Sequence, residues 1–323
     1  MRYEQVSLPS FGPGVSPAAI VDAVSRWSTS PPLRDLVEAF GARFPRGDTG
    51  VILSFLDDFT AENWDYRRGR ERLDADEPTL SADMVRLVEV ATRALGLRDV
   101  RPPRRTTYTH LLLLGAVAPA CLQRVFYAGH LVSAGTVAPG TVTGLGSFRR
   151  LRDVELAPLI ELGLDGCAYE IDVLAAAAQM AFGLDQPDKV VESLHTGPEL
   201  NRSWSSRRWS GPGPEVCLLA SPSSAPDTRR ASTQDTLRHW VREVALGPVD
   251  RVLIITSPIY VPYQHCDAIR ILALPQGCEV ETVGVDPATI RQALPVVRYS
   301  PGNYLQETRS AVRSMRLLYE ASA

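Results

Sequence analysis

Several kinds of feature are scarce or missing in the amino-acid sequence, and each absence narrows the range of functions to consider. Lysine occurs once, at Lys189, so arginine carries nearly all the positive charge of a chain whose formal net charge is −3. Because there is no excess of positive charge, we expect neither nucleic acid nor a membrane surface as a partner. No apolar run approaches the roughly 18 residues of a spanning helix, and the first residues lack a signal-peptide pattern. These absences predict a cytoplasmic protein.

Cysteine and histidine are few, and their spacing forms neither a disulfide framework nor a metal site. The five cysteines include no Cys-x-x-Cys pair and are odd in number, which favours free thiols in a reducing compartment. The histidines show no His-x-His or His-x-x-x-His spacing, so we predict no metal. A GxxxxGK[ST] phosphate loop and a GxSxG nucleophile elbow are also missing. Cys266, beside His265, is either a nucleophile or, as its type favours, a buried core thiol.

Residues 1–105 carry helical patterns and are predicted to form a helical N-terminal lobe. Ser16 followed by Pro17 is typical of a helix start. Ser81 precedes apolar residues at helical spacing. The arginine- and proline-rich Arg101–Arg105 then predicts a stiff connector, so the boundary between two domains is expected near its end.

Residues 106–323 alternate short apolar runs with helical patterns. The runs, each predicted to be a strand, are His110–Leu114, Val137–Val142, Val216–Ala220, Val252–Ile255 and Cys278–Val285. Alternation at this spacing predicts an α/β fold, namely a Rossmann-like parallel sheet with helices on both faces. The stretch 196–213, rich in Ser, Arg, Trp, Gly and Pro, is predicted to be a mobile surface loop.

The functional site is predicted at the carboxyl ends of the strands, where such domains bind ligands. A polar and aromatic stretch follows the buried run that ends at Ile255. The predicted catalytic residues are Tyr260 and Tyr263, as acid or base, and Arg124, as an anion clamp. The predicted substrate-binding residues of this half are Gly115, Gly144, Gly146, Ser147, Thr233, Gln234, Thr256, Ser257 and Gln264.

The sequence Gly144-Leu145-Gly146 is open to two interpretations. It lacks the third glycine of a dinucleotide fingerprint, and no acidic residue follows at the distance expected for a ribose contact. The two glycines either form a plain turn or allow a ligand to approach the backbone closely. In the second case, Ser147 and Arg149 could meet an anion.

Two further features of this half could bind an anion. Ser232, Thr233 and Gln234 open a predicted helix, and a helix N-terminus attracts phosphate or carboxylate. We expect Ser232 to be an ordinary cap, which leaves Thr233 and Gln234 as the better ligand candidates. Arg124 either directs its guanidinium at a bound anion or lies on a solvated helix face.

The stretch 57–71 concentrates carboxylates, arginines and aromatic residues in the N-terminal half. Asp57 and Asp58 look like a strand or helix end, and such a pair can hold Mg²⁺ or act as acid and base. An exposed, salt-bridged loop is the alternative. The predicted ligand residues, suited together with Trp64 and Tyr66 to a sugar or base, are Asp58, Asn63, Asp65 and Arg67. The stretch would face the strand-end site if the lobe folds over it.

The order of elements over about residues 106–290 resembles the YdcF/SanA-like family of Rossmann-like bacterial proteins. The features that carry the resemblance are the strand into Gly115 with Arg124 after it, the Gly144–Ser147 turn, the helix start at Ala231–Thr236 and the strand end Thr256-Ser257. The resemblance implies a Rossmann-like fold. The family usually has an Asn where this chain has Thr236, and a His and an Arg where it has Tyr260 and Tyr263, while Pro262 matches.

Two main functions remain open. The first is an enzyme, a transferase or a hydrolase, acting on a small polar, anionic or nucleotide-like substrate, with S-adenosylmethionine or a nucleotide as a possible ligand. The second is a non-catalytic nucleotide- or S-adenosylmethionine-binding or regulatory protein, which the tyrosines at the family's His and Arg positions favour. A scaffold without a pocket is a third class. The substrate and the oligomeric state stay open.

Overall fold

The computed structural model describes residues 2–70, 74–211, 213–290 and 294–323. The helices among them are α1 Pro17–Ser28, α2 Pro31–Ala39, α3 Thr49–Asn63, α4 Ala82–Ala94, α5 Ala118–Ser133, α6 Asp153–Ile160, α7 Glu170–Phe182, α8 Thr233–Glu243, α9 Val261–Ala268, α10 Leu274–Gln276 and α11 Pro301–Ser322. The strands are β1 Thr107–Leu114, β2 Ala138–Gly146, β3 Lys189–Ser193, β4 Trp204–Trp209, β5 Glu215–Ala220, β6 Arg251–Thr256 and β7 Glu279–Gly284.

The strands form one sheet in the order β3-β4-β5-β2-β1-β6-β7. The pairs β5–β2, β2–β1, β1–β6 and β6–β7 are parallel, while β3–β4 and β4–β5 are antiparallel. The chain runs from β1 outward to β2 and β5, then returns to β6 and β7 on the other side of β1. This is the strand order of a Rossmann-like, doubly wound sheet. The predicted fold class is therefore confirmed.

The central strands are apolar because helices cover both of their faces. In β1, the run Leu111–Leu114 is at most 1% exposed. Leu112 lies between Thr143 of β2 and Ile254 of β6 in the register of the sheet. A strand buried on both sides reads as a continuous apolar run and not as an alternating one. For this reason the runs that contain β1, β5 and β6 were recognisable in the sequence.

Gly144 and Gly146 lie inside β2 and not in a turn after it, so the turn interpretation of these glycines is wrong. A Cβ on Gly144 would lie 2.3 Å from Leu218 Cδ2, and a Cβ on Gly146 would lie 2.9 Å from Leu174 Cδ1. Side chains from β5 and α7 pack directly onto the backbone of β2. The two glycines therefore mark positions where other side chains come close to the backbone. They lie in the part of β2 that extends beyond Val142.

The stretch 196–213 is not the loop that its composition suggested, because it contains a 3₁₀ segment, Gly197–Arg202, and all of β4. Trp209 is only 4% exposed, and its indole Nε1 donates a hydrogen bond to the Asp185 carbonyl oxygen at 2.9 Å. The antiparallel β3–β4 pair forms one edge of the sheet. In β4 only Ser205 and Trp209 are buried, so neither an apolar run nor a regular alternation marks this strand in the sequence.

The chain divides into two compact units. The helical unit comprises Met1–Val100, Pro258–Pro275 and Arg298–Ala323, and the sheet unit comprises Arg101–Ser257 and Gln276–Val297. The sequence analysis instead drew a single boundary near residue 105 and assigned everything after it to the α/β domain. The structure differs because α9 and α11 bury their apolar faces within the helical unit.

Within the helical unit, the predicted helix starts are confirmed. The Ser16 and Ser81 side chains each accept a hydrogen bond from a backbone N–H of the first turn of α1 and α4, and Pro17 opens α1. Asp57 and Asp58 lie inside α3, although the sequence suggested a strand or helix end. The helix begins after the N-cap Asp48, whose carboxylate accepts from the Val51 backbone N–H at 2.9 Å, and it runs to Asn63, beyond both carboxylates.

Candidate functional site

The carboxyl ends of the parallel strands form one continuous edge of the sheet unit. Gly144 of β2 pairs with Leu113 of β1, and Leu113 pairs with Ile255 of β6. Thr256 and Ser257 therefore end β6 beside the end of β1, and both residues are buried. The point between β1 and β6 is where the strand order reverses, the usual place for a ligand in such sheets.

Arg124 of α5 occupies this reversal point and is fully buried. Its Nη1 donates to the carbonyl oxygens of Leu114 at 2.5 Å and Gly115 at 2.9 Å. Its Nη2 donates to the Ser257 hydroxyl at 3.1 Å. The guanidinium thus joins the ends of β1 and β6. The interpretation as a solvated helix face is therefore wrong, while the role of an anion clamp stays a prediction.

The N-terminus of α5, which follows β1, is closed by a carboxylate of the same unit. Glu155 of α6 accepts a hydrogen bond from the Ala118 backbone N–H through Oε1 at 2.8 Å. Arg149 holds that carboxylate with both terminal nitrogens, Nη1 to Oε2 at 2.7 Å and Nη2 to Oε1 at 2.9 Å. In dinucleotide-binding domains this helix end binds the pyrophosphate. Here an internal anion takes that position.

A second buried carboxylate, Glu170 of α7, lies between the ends of β1 and β2. Arg149 Nε donates to Glu170 Oε2 at 3.2 Å. A Cβ added to Gly115 would lie 2.1 Å from Glu170 Oε1, and a Cβ added to Gly146 would lie 3.4 Å from it. The two glycines therefore make room for the protein's own carboxyl group, although the sequence suggested an external ligand.

The two carboxyl groups respond to this environment in opposite directions. Burial raises the pKa of Glu170 above its ordinary value, and the nearby charges of Arg149, Arg230 and Arg124 offset this effect only in part. Burial acts in the same direction on Glu155, but its hydrogen bonds and charge pairing with Arg149 outweigh burial, and its pKa is lowered. Arg149 is therefore paired with one carboxyl group that ionises more readily than usual, Glu155, and with one that ionises less readily, Glu170.

The ends of β2 and β5 are different, because a small cavity of about 10 Å³ lies over them. Its lining residues include Ser147, Ser221 and Arg230 from the sheet edge, and Asn201 and Ser203 above it. Ser221 is 2% exposed, and among the described residues its hydroxyl has no hydrogen-bond partner. A buried hydroxyl without a partner is uncommon in folded proteins and calls for an explanation.

The helix that follows this edge, α8, starts as expected with Ser232 as its N-cap. The Asp235 N–H donates to Ser232 Oγ at 3.4 Å, and the Ser232 N–H donates to Asp235 Oδ2 at 2.8 Å. Despite partial burial, hydrogen bonds led by that from Arg229 lower the pKa of Asp235. Thr233 and Gln234 lie in the first turn of α8, half-buried. The cap role of Ser232 is confirmed.

Three residues predicted for the strand-end site belong to the helical unit. Tyr260 and Tyr263 contact each other edge to face, with ring centroids 5.9 Å apart, and Tyr260 also contacts Tyr299. Gln264 is buried, and its Nε2 donates to the Tyr263 hydroxyl at 2.9 Å. Their roles in catalysis and binding stay predictions.

Three of the four predicted ligand residues of the stretch 57–71 have partners within the helical unit, and the ligand roles of all four stay predictions. Asp65 pairs with Arg309 at 3.3 Å, and Arg67 pairs with Glu307, both partners lying on α11. Asn63 Nδ2 donates to the carbonyl oxygen one turn earlier in α3, at 2.9 Å. Asp58 is exposed on α3, and Glu71 lies outside the described residues.

Trp64, which the sequence analysis placed in a ligand-recognition set, is a core residue. It is fully buried, and its ring contacts Phe40 and Phe59 edge to face at 5.6 and 5.4 Å. The suggested sugar- or base-binding set is therefore incomplete. The alternative considered for this stretch, a salt-bridged segment, describes its ion pairs better, although part of it is helix.

The sequence analysis missed Glu155, Glu170 and the lining role of Ser221 and Arg230. Glu155 and Glu170 occur in helical patterns where an acidic residue at a helix start is ordinary, so no local signal distinguishes them. Ser221 had one usable signal, since it follows an apolar strand directly and precedes a proline. Its unsatisfied hydroxyl becomes visible only when the neighbouring segments are in place.

Two features are absent from the described parts of the chain. No helix within those parts is both long and apolar enough to cross a bilayer. Nor do the described residues bring together three or more His, Cys, Asp or Glu side chains able to hold a metal ion. All five cysteines are free and buried, and burial raises the pKa of Cys266 well above its ordinary value, as a core thiol requires.

The strand order and the polar carboxyl edge define the sheet unit as a Rossmann-like α/β domain. A family model described as the Rv3785 N-terminal domain matches residues 11–96. Uncharacterized protein Rv3785 of Mycobacterium tuberculosis and uncharacterized protein Mb3814 of Mycobacterium bovis are each 31% identical over 328 residues, which covers 94% of this chain and 90% of each relative. The chain belongs to the family of these mycobacterial proteins. No solved structure matches it.

Proposed function

We propose that the protein is an enzyme, a transferase or a hydrolase, that acts on a small polar, anionic or nucleotide-like substrate. The substrate binds at the carboxyl ends of the parallel strands, over β2 and β5. The observation that carries this proposal is the Ser221 hydroxyl, which is buried beside Ser147 and Arg230 and lacks a partner among the described residues. Hydroxyls and a guanidinium around a cavity suit the binding and orientation of a polar ligand.

We further propose Tyr260 and Tyr263 as acid or base, a role that rests on their residue type alone. Phenols can transfer protons in this way when they are placed within hydrogen-bond reach of the substrate. A test replaces each with phenylalanine, which keeps the ring. Because the core contact of the ring is preserved, we expect a fall in turnover with little change in the unfolding midpoint.

The second candidate is a non-catalytic nucleotide- or S-adenosylmethionine-binding regulatory protein. Two observations favour it. Arg124, a predicted anion clamp, donates to the strand-end carbonyl oxygens and to Ser257. The chain also has tyrosines where the YdcF/SanA-like family has a His and an Arg. A relation to that family is itself a proposal, supported by the shared order of elements.

The experiment that separates the two candidates is a thermal-shift screen followed by turnover assays. The panel contains phosphate monoesters, sugar phosphates, nucleotides and S-adenosylmethionine, because a ligand that binds the folded state raises its stability with concentration. A stabilising ligand that is also converted supports the enzyme. A stabilising ligand that is recovered unchanged supports the regulatory protein. If no member of the panel stabilises the protein, both candidates fail.

We also propose that the protein works in the cytoplasm. The support is that all five cysteines are free and buried, which suits a compartment where thiols stay reduced. Cell fractionation with an antibody against the native protein tests this, and recovery outside the cytoplasmic fraction would contradict it.

A further inference from the structure

We propose that the edge strand β3 pairs with β3 of a second copy of this chain, so that two sheets join into one across a two-fold axis. The pairing is antiparallel, and it places Val191 opposite Val191 of the second copy. This inference goes beyond the proposed function, because it concerns a partner surface of the sheet unit and not the strand-end site.

β3 ends the sheet on one side, and its outer edge is open to another strand. It pairs with β4 alone, and no further strand of the described residues lies beside it. The N–H and C=O groups of alternate residues in such an edge strand point away from the sheet. The register with β4 runs from Lys189 to Ser193 without a bulge, and the strand contains no proline. β3 therefore lacks two backbone features that often prevent edge strands from pairing.

The side chains exposed at this edge are largely apolar. Val190 and Val191 are 48% and 43% exposed, and Leu194, next after the strand, is 56% exposed. Because neighbouring residues of a strand point to opposite faces, Val190 and Val191 expose apolar surface on both faces of the sheet. Pairing with a second strand would remove part of this surface from water on both faces, which favours association.

The opposite edge of the sheet, β7, is closed within the chain. Both of its valines are at most 4% exposed. The connector before β1 supplies partners for its two carboxylates. Arg104 pairs with Glu281 at 3.4 Å. Arg105 pairs with Glu279 at 3.0 Å. β3 is exposed from Lys189 to Glu192 and has no such cover among the described residues, so a partner for it would come from another chain.

The two charged residues of β3, Lys189 and Glu192, are exposed and form no ion pair with another described residue. In β4, by contrast, Arg207 and Arg208 each pair with a carboxylate of the sheet unit at 3.4 Å. A single copy of the chain therefore leaves both charges of β3 without an opposite charge beside them. Both are available to a partner strand.

Charge decides which residue of β3 lies at the two-fold axis. In an antiparallel pair related by such an axis, one residue lies opposite its own copy and the others pair symmetrically around it. An axis at Lys189 or Glu192 would place two like charges opposite each other, which is destabilising. An axis at Val190 would place Glu192 opposite Asp188, again two like charges. An axis at Ser193 would pair Lys189 and Val190 with residues beyond the strand.

An axis at Val191 opposes no like charges within the strand. Val190 then lies opposite Glu192 of the second copy, and Lys189 lies opposite Ser193. The two copies of Val191 pack side chain against side chain, a cross-strand pair of the kind that stabilises sheets. The axis stands perpendicular to the sheet, so each face of one sheet continues into the same face of the other.

The same register brings opposite charges together. Val190 lies opposite Arg207 in the β3–β4 pair. Glu192 of the second copy, which lies opposite Val190, is therefore in the same cross-strand row as Arg207, two strand spacings or about 10 Å away. Side chains of this length can span that distance from both sides. The pair of Arg207 with Asp172 uses Nη2 at 3.4 Å, so the guanidinium has further N–H groups for Glu192.

The interface is small, so the dimer should be weak and reversible. One pair of five-residue strands lies at the low end of protein interfaces, and we expect a dissociation constant of about 1 to 100 μM. Sedimentation velocity of the intact chain, at concentrations from about 1 to 300 μM, measures this constant.

The first variant places a charge at the axis. Val191→Lys should weaken the dimer about a hundredfold or more, because two positive charges then lie opposite each other. Val154→Lys is the matched control, since Val154 of α6 is 64% exposed and lies outside β3, and it should leave the dissociation constant unchanged. At low concentration, where all three proteins are monomers, they should unfold at the same midpoint.

Cross-linking tests the register. In Val191→Cys two thiols meet at the axis, where opposite Cβ atoms are about 5 Å apart, so mild oxidation should give a disulfide-linked dimer. Val190→Cys is the control, since its own copy lies on the diagonal at about 7–8 Å, too far for an unstrained bridge. The five native cysteines are buried, so the introduced thiol is the accessible one. Non-reducing electrophoresis should show Val191→Cys dimers forming at least about tenfold faster.

The inference is overturned if the unchanged protein sediments as a monomer at the highest concentration, or if Val191→Lys dimerises as well as Val154→Lys does. It is also overturned if Val190→Cys cross-links as fast as Val191→Cys, because the strands would then not be in this register. None of these measurements involves a substrate, so the proposed function is tested separately by the thermal-shift screen.

Discussion

Two neighbouring parts of the same sheet edge, the end of β1 and the ends of β2 and β5, differ in how their buried polar groups are hydrogen-bonded. At the end of β1, the exposed carbonyl oxygens and the first N–H groups of the next helix are matched by Arg124 and Glu155. Over β2 and β5, the Ser221 hydroxyl has no match among the described residues. At the end of β1 the backbone groups named here have partners within the chain, whereas over β2 and β5 a buried hydroxyl has none among the described residues.

The difference shows that polar residues at strand ends do not by themselves mark a ligand site. Arg149 and Glu170 look like catalytic groups by type, but they form ion pairs that hold α6 and α7 to the sheet. A polar group whose hydrogen bonds and ion pairs are made within its own chain has a structural role. A buried group left unsatisfied calls for an explanation, and a bound water, ion or ligand is one such explanation.

The largest loss of stability is expected when Arg149, which pairs with two buried carboxylates near the end of β1, is replaced. Arg149→Met should lower the free energy of unfolding by about 4 kcal/mol, because it leaves two buried carboxylates without their partner. Chemical denaturation with urea measures this. The matched control is Arg208→Met, whose pair with Glu215 is 3.4 Å long and more than 40% exposed on both sides. Its expected cost is below about 1 kcal/mol.

If Arg149→Met is as stable as Arg208→Met, the end of β1 does not depend on its internal ion pairs. The contrast drawn here between the end of β1 and the ends of β2 and β5 would then be wrong.

A somewhat smaller effect is expected from filling the space that Gly115 leaves for Glu170. Gly115→Ala should cost about 3 kcal/mol of unfolding free energy, because the new Cβ would lie 2.1 Å from Glu170 Oε1 and 2.9 Å from the Leu145 carbonyl oxygen. The backbone oxygen cannot rotate away. Gly166→Ala, where a Cβ would meet nothing within 4 Å, is the control and should cost almost nothing. Equal stability of the two variants would contradict the close approach.

The smallest effect is a change of protein stability with pH that arises from the ionisation of Glu170. A carboxyl whose pKa is raised on folding contributes stability below its unfolded pKa and loses it as the pH rises through the folded value. The unchanged protein should therefore lose stability relative to Glu170→Gln as the pH rises above 4.5, the ordinary value for this group. Each pKa unit of the raise corresponds to about 1.4 kcal/mol. Denaturation curves between pH 4 and 8 measure the difference, and a gap that does not change with pH would refute the raised pKa.

The elements most readily predicted were those with a local signal. The apolar runs that contain β1, β5 and β6 and the caps at Ser16, Ser81 and Ser232 follow from residue type and spacing alone. The β3–β4 pair was missed because its residues are neither apolar runs nor regular alternations. Gly144 and Gly146 were misread because a glycine required by close packing looks the same as a glycine required by a turn.

The candidate site was located only in part. The carboxyl edge and Ser147 were expected from the strand order, whereas the closure of the β1 end by Glu155 and Glu170 was not. Those carboxylates come from helices that begin about 40 and 55 residues after Gly115 in the chain, and no spacing rule connects residues so far apart.

The sequence by itself determined the Rossmann-like class of this protein, because continuous apolar runs alternating with amphipathic helices can bury their surfaces only as a covered parallel sheet. Only the tertiary structure decided which polar groups are satisfied. Hydrogen bonds between side chains depend on distances of a few tenths of an ångström across separate elements, and that precision arises when those elements pack.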